Sequence, residues 1–229
     1  SASLNRASNL ADWLVKNQQD GVWYINFPNS YYKIDAPWPS AMVQGQAIAL
    51  LSRIALVTRK REYLDIAILA LQPFGRSSDK GGVLIHTESG DFYEEFPSSP
   101  PSMVLNGFIF SLIGLYDLWA HHRVGEAERL FEAGFKTLIK IIDRYDTGFW
   151  TRYDLYPIKR LSSQEYHSLH ISLLESLLKI AFEQKIVDII KKWRCYRNNI
   201  LCQTSWLIHK LKEKMKDSSY TSTLKLRIR

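Results

Sequence analysis

Apolar residues recur at helical spacing along most of the chain. Leu10, Trp13 and Leu14 mark an amphipathic helix that stops near Gln19-Asp20-Gly21. Residues 41–57 and 62–74 repeat the pattern and form a first helical hairpin. Residues 102–119 and 126–142 form a second, the latter with apolar Leu130, Leu138, Ile139 and Ile142 among charges. A third pairs 168–182 with 186–196. Residues 201–215 are an eighth candidate, and 218–229 carry no clear period. Between these elements a phrase returns: Asp20-Gly21-Val22-Trp23, Gly81-Gly82-Val83 leading to Ser89-Gly90-Asp91-Phe92-Tyr93, and Asp146-Thr147-Gly148-Phe149-Trp150. A Gly turn followed by β-branched or aromatic residues reads as a short strand crossing the end of a hairpin. The predicted fold is therefore all-α: an α/α toroid, incomplete or complete, of about four helical hairpins, with short strands at the rim. The division expected is a toroid over 1–199 and a basic helix and tail over 200–229. The periodic residues are core; the rim loops, which collect aromatic and acidic residues, are where function is expected.

Composition supports a packed core, with 46% hydrophobic and 23% charged residues, and excludes the low-hydrophobicity signature of disorder. No membrane span is expected, because even the apolar stretch 103–118 is broken by Asn106, Gly107, Ser111 and Asp117. Residues 1–9 contain no basic segment followed by an apolar one, so no secretory signal is visible. Cys195 and Cys202 give neither a disulfide framework nor a zinc pattern and read as packed thiols. The net charge of +7 suggests a polyanion partner until it is located: residues 185–229 hold 12 Lys and Arg against 3 Asp and Glu, the rest of the chain 18 against 20. Basicity belongs to the tail. The run Lys210, Lys212, Lys214, Lys216 reads as a solvated helix face, and the acidic body argues against nucleic acid.

Several blocks are recognisable in order. Pro37-Trp38, Ser40-Ala41-Met42, Gln44-Gly45-Gln46-Ala47, Tyr93-Glu94-Glu95-Phe96-Pro97, Val104-Leu105-Asn106-Gly107-Phe108 and Ser111-Leu112-Ile113-Gly114-Leu115-Tyr116-Asp117-Leu118 closely resemble the C-terminal catalytic domain of the glucuronyl C5-epimerases. So do Tyr145-Asp146-Thr147-Gly148, Tyr153-Asp154-Leu155, Tyr166-His167 and His170-Ile171. The correspondence runs from about Ala11 to about Tyr196, and multi-residue blocks in register are far more specific than one short motif.

The resemblance implies reversible inversion of a uronic acid at C5 within an anionic, uronate-containing glycan. A proton is removed from one face of the sugar and another is returned to the opposite face. A proton beside a carboxylate is barely acidic, so a base must reach C5 while cations or donors stabilise the charge that develops on the carboxylate. The implied scheme needs no metal and no nucleotide cofactor. Carried over by motif, Glu95 is the base candidate, Tyr153 a second proton carrier, and Tyr166 the acid/base of the other face. Gln44, Gln46 and Asn106 are the implied cleft lining, and Arg152, Lys159 and Arg160 the candidates for the carboxylate clamp. His167 and His170, one helical turn apart, stand between substrate contact and plain packing.

Two departures separate the chain from the family pattern. The family motif reads Glu-Glu-Tyr-Pro, and its tyrosine, assigned to catalysis, is Phe96 here. An arginine that follows the Tyr-Asp-Leu block in the animal enzymes is Tyr156, which is why Arg152, Lys159 and Arg160 become the candidates for that charge. Two other outcomes share the same residue classes: a lyase that expels the C4 substituent after the same proton abstraction, and a carbohydrate-binding protein that has lost catalytic competence. Phe96 is the feature that favours the latter.

Overall fold

The computed structural model describes residues 2–227. Ser1, the last two residues of the predicted tail and the Lys216 side chain of its basic run lie outside the described residues. The helices are α1 (Ala2–Asn17), α2 (Ala41–Thr58), α3 (Arg61–Leu69), α4 (Leu105–His122), α5 (Gly125–Ile141), α6 (Gln164–Leu178), α7 (Gln184–Asn198) and α8 (Ile200–Arg227). The described strands are β1 (Leu84–Thr87) and β2 (Gly90–Tyr93), an antiparallel hairpin in which Leu84 faces Tyr93 and Thr87 faces Gly90.

The packing follows the α/α toroid pattern. α2, α4 and α6 lie side by side as an inner layer, and α3, α5 and α7 each pack on the inner helix that precedes them. α1 covers α2 and α3 at one end; α8 packs on α7 at the other. The α2–α4 crossing is close because both helices carry glycine there. A Cβ on Gly45 would overlap the Ser111 backbone, and one on Gly114 would overlap the Gly45 backbone. α2 is, among the described residues, the one helix long and apolar enough to cross a membrane by length and composition. Half of it is buried by neighbouring helices, which accounts for its apolarity within the core.

Several boundaries differ from the periodicity, two of them for a visible local reason. α3 stops at Leu69 and gives way to a 3₁₀ turn over Gln72–Gly75, because Pro73 has no N–H to continue an α-helix. α6 starts four residues earlier than predicted, because the Ser163 side chain caps it by accepting from the Tyr166 amide. That start places Tyr166 and His167 in its first turn. α8 extends past Met215, the predicted end.

The main core runs through all three hairpins and is dense in aromatics. Phe92 stacks on Phe108 at 3.9 Å between ring centroids. The buried phenols are satisfied by backbone: Tyr93 donates to the Leu130 carbonyl and Tyr145 to that of Met103, both at 2.7 Å. Each fully buried aromatic or aliphatic side chain contributes about 1.5–3 kcal/mol.

Candidate functional site

Each inner helix is entered from a long rim loop. Residues 18–40 lead into α2, 94–104 into α4 and 146–163 into α6. The three loops meet and bury a second, smaller apolar cluster of Tyr32, Ile34, Trp38, Val104, Tyr153 and Tyr156, with Ile25 and Phe96 packed against it. Over this cluster opens a cleft of about 330 Å³, lined by Tyr31, Tyr32, Phe96, Tyr153, Arg160 and Tyr166 together with Lys210 of α8.

Arg160 organises the cleft. Its Nη2 donates to the Tyr32 hydroxyl at 2.8 Å and to Asp154 Oδ2 at 3.0 Å, while Tyr32 itself donates to Asp154 Oδ2 at 2.7 Å. The guanidinium lies over the rings of Tyr153 and Tyr31, at 4.3 and 4.4 Å from their centroids. These contacts leave Nη1 without a hydrogen bond among the described residues. Asp154 is fully buried, and burial raises its pKa despite Tyr32 and Arg160, which favour the charged form.

Tyr153 and Tyr166 meet edge to face at 4.8 Å between centroids, so two of the three predicted proton carriers share the cleft. Burial, and after it the charge of Glu95, pushes the Tyr153 phenol well above its ordinary pKa. Tyr166 is the open member, 40% exposed. Glu95 is set back from the cleft surface and only 4% exposed. Its Oε2 accepts from Asn106 Nδ2 at 3.3 Å, and the Gly107 amide at the start of α4 also favours the ionised form. A Cβ on Gly107 would overlap the Glu95 carboxylate, so this approach requires glycine. Burial nevertheless dominates and raises Glu95 to about 7, against the attraction of Arg160.

Glu94, the other half of the acidic pair, has a different task. It is fully buried, accepts from the Met103 amide at 3.0 Å and from the Ser102 hydroxyl, and burial raises it to about 8. It holds the turn that enters α4.

Other predicted residues fall elsewhere. Gln44 is a buried strut: Nε2 donates to the Gly21 carbonyl at 2.7 Å and to that of Ala70 at 3.2 Å, and Oε1 accepts from the Trp23 amide at 3.0 Å. No polar atom of it is left for a substrate. Gln46 is exposed on α2 and does not line the cleft. His167 and His170 are fully buried. His167 donates from Nε2 to the Trp193 carbonyl and accepts at Nδ1 from Thr151, both at 3.0 Å, and its ring stacks on Trp150. Burial lowers His167 to about 4 and His170 to about 3, so both are neutral packing residues that brace the loop carrying Tyr153. Arg152 turns away, donating to the Tyr156 carbonyl at 3.0 Å, and Lys159 is exposed beside the cleft rather than in it. Asn106 is buried and touches Glu95, but does not line the cleft.

Tyr31, Tyr32 and Asp154 were not singled out by sequence reasoning. Asp154 lies within the Tyr-Asp-Leu block, but its partner Tyr32 is 122 residues away, a pairing no local pattern reveals. A second cavity of about 350 Å³, between α6 and the α7–α8 junction, contains none of the predicted proton carriers. Among the described residues, no group of three or more His, Cys, Asp or Glu could hold a metal ion.

Comparison with known proteins places the fold and the family. A D-glucuronyl C5-epimerase from Caenorhabditis elegans is 36% identical over 208 residues, covering 81% of this chain and 34% of that protein. Among solved structures, a cellobiose 2-epimerase from Spirochaeta thermophila superposes with a TM-score of 0.57 at 15% identity, over 84% of this chain and 53% of that one. A family 76 glycoside hydrolase (mannosidase) from Bacteroides thetaiotaomicron gives 0.55 at 12% identity, over 86% and 53%. At such identities these two establish the α/α toroid fold alone. The chain spans about a third of the nematode protein and about half of the solved structures. The family model described as the D-glucuronyl C5-epimerase C-terminus matches residues 16–195, a segment that holds every rim loop and all four tyrosines of the cleft. By the extent of that match and the identity to the nematode enzyme, the chain belongs to the D-glucuronyl C5-epimerase C-terminal family.

Proposed function

We propose that this chain is the proton-transfer domain of a uronyl C5-epimerase acting on an anionic glycan. The observation that carries the reading is the meeting of Tyr153 and Tyr166 in a cleft floored by Arg160, with a buried carboxyl at Glu95 whose proton affinity is near neutrality. A general base works best when its pKa lies near the working pH. Arg160 holds the uronate carboxylate through its unpartnered Nη1 and stabilises the charge that develops when C5 loses its proton. Asp154 and Tyr32 are positioning residues, since they fix the guanidinium and do not reach the reacting atoms.

In this reading Glu95 is the acceptor of the C5 proton. Tyr153 is in ring contact with Tyr166, which leaves no room for a sugar between them, so the two phenols serve one face and Tyr153 steadies the Tyr166 hydroxyl. Tyr166 returns a proton to the opposite face, and the reverse reaction exchanges the roles. Phe96 lines the same cleft, stacked on Tyr32 at 4.7 Å, so the missing phenol removes a donor from the place where charge develops. Loss of one such donor costs about 3 kcal/mol in transition-state stabilisation, which predicts a slow enzyme.

The test is incubation with a glucuronate oligosaccharide in deuterated water. Deuterium at C5 together with the inverted uronate supports the reading. Ultraviolet absorbance from an unsaturated uronate would mean elimination instead, and binding without label at any pH would mean a carbohydrate-binding protein.

A further inference from the structure

α8 lies beyond the matched segment, yet it is fastened to the loop that carries the cleft. Trp206 Nε1 donates to the Ser162 carbonyl at 2.9 Å, Lys210 Nζ to that of Leu161 at 2.5 Å, and the Leu161 amide donates to Glu213 Oε1 at 3.2 Å. The Phe149 and His209 rings approach to 5.0 Å. Lys210 and Glu213 also pair with each other at 2.7 Å, so their charges serve the docking and largely cancel. What remains is unbalanced. Beside the cleft lies a depression of about 560 Å³ that shares Tyr31 and Arg160 with it and continues to Lys159 on the loop and Lys212 on α8. Neither lysine has an ion pair or hydrogen bond among the described residues.

The two depressions share Tyr31 and Arg160 and so adjoin, forming neighbouring halves of one groove in the reading that follows. Its floor offers the Tyr31 ring, 37% exposed, for a sugar face, and its far end offers two uncompensated ammonium groups. A volume of this size is within the range of small-molecule sites. We infer that the groove between Tyr31, Lys159 and Lys212 binds a second acidic sugar of the same glycan chain, with α8 as its outer wall. The acidic group recognised is a carboxylate or a sulfate ester, and Arg160 stands at the junction between the two sugars. This rests on the epimerase reading for the identity of the glycan, but it makes a binding claim that needs no turnover.

The experiment is calorimetric titration of the full chain with a glucuronate disaccharide and with hexasaccharides of the same repeat, unsulfated and sulfated. The hexasaccharides should bind about tenfold more tightly than the disaccharide, with a steeper salt dependence, and the tighter of the two identifies the acidic group. In the double variant Lys159→Ala/Lys212→Ala, hexasaccharide affinity should fall about three- to tenfold and its salt dependence should flatten. Disaccharide affinity should change far less. Lys212→Glu, an exposed change that leaves the docking contacts intact, should reproduce the length-selective loss. Equal affinity for short and long oligomers, or an equal loss for both in the variants, would overturn the inference. If no C5 label appears while the length-selective binding persists, the epimerase reading fails and the groove stands.

Discussion

The helical core and the rim cluster of this protein are built by opposite rules. In the core, apolar side chains at helical spacing bury one another, and buried phenols such as Tyr93 and Tyr145 donate to backbone carbonyls. In the rim, aromatic rings enclose charge: Arg160 lies between Tyr31 and Tyr153, Asp154 is buried beneath it, and Glu95 is held against the start of α4 at a raised pKa. Buried ionisable groups lower stability unless fully compensated. On the proposed reading the difference marks where the chemistry lies, because the rim gathers several buried ionisable groups in one cleft.

The sharpest way to break this comparison is to remove one such group. Glu95→Gln should lower C5 exchange by about 10²–10⁴-fold while leaving the thermal midpoint unchanged or higher, read by label incorporation and calorimetry. A core change should do the reverse in kind. Gly114→Ala forces a methyl group into the Gly45 backbone, where no flexible side chain can yield, and should cost about 3 kcal/mol in urea denaturation. A similar loss from Phe96→Ala, at a partly exposed rim position, would blur the distinction between the two regions.

The third prediction is the pH dependence of stability, and here the two regions pull in opposite directions. Glu94 and Glu95 are raised in the folded state from 4.5 to about 8 and about 7, so the folded protein binds more protons than the unfolded chain across that window. Their contribution therefore falls as pH rises from 4.5 to 8. His167 and His170 are depressed from 6.5 to about 4 and about 3, so their contribution is lost as pH falls below 6.5. Above pH 6.5 the carboxylates outweigh the histidines, which have only about half a proton each left to lose in the unfolded chain, and stability should drop by about 2 kcal/mol between pH 6.5 and 8. Glu94→Gln should flatten that drop in denaturant titrations at the two pH values. A stability that rises over this interval would mean that the carboxyls are not held as described.

The smallest expected effect is a gain. Phe96→Tyr restores a phenol in the cleft, and C5 exchange should rise about tenfold, a share of what one preorganised donor contributes. An unchanged rate would show that the missing hydroxyl belongs to substrate choice rather than to proton transfer.

How far the sequence revealed each region follows from the same contrast. The helices were legible because a 3.6-residue period is written locally; even the early start of α6 has a local cause in Ser163. Tyr153 and Tyr166 were legible as site residues because motif blocks carried both, whereas Arg160 entered only as one of three candidates for a charge missing after the Tyr-Asp-Leu block. The packing role of Gln44, and of His167 and His170, which the sequence leaves between packing and substrate contact, was hidden for one reason. By type each could be a substrate ligand, but Gln44 and His167 bond the backbone of Gly21, Ala70, Trp23 and Trp193, and both histidines meet the Thr151 hydroxyl, partners that the local sequence does not identify. The same distance hid the Tyr32–Asp154 pair. The lysine run of α8 has the pattern of a solvated face, although Trp206, Lys210 and Glu213 hold the helix to the site loop.

The central claim is that the rim loops assemble a proton-transfer site whose base has its affinity set by burial. The most direct measurement is the rate of C5 deuterium exchange in a glucuronate oligosaccharide from pH 5 to 9, for the parent chain and for Glu95→Gln. The account predicts a rising limb with an apparent pKa of about 7 in the parent and its loss in the variant. A profile of the same shape and amplitude in Glu95→Gln would contradict it.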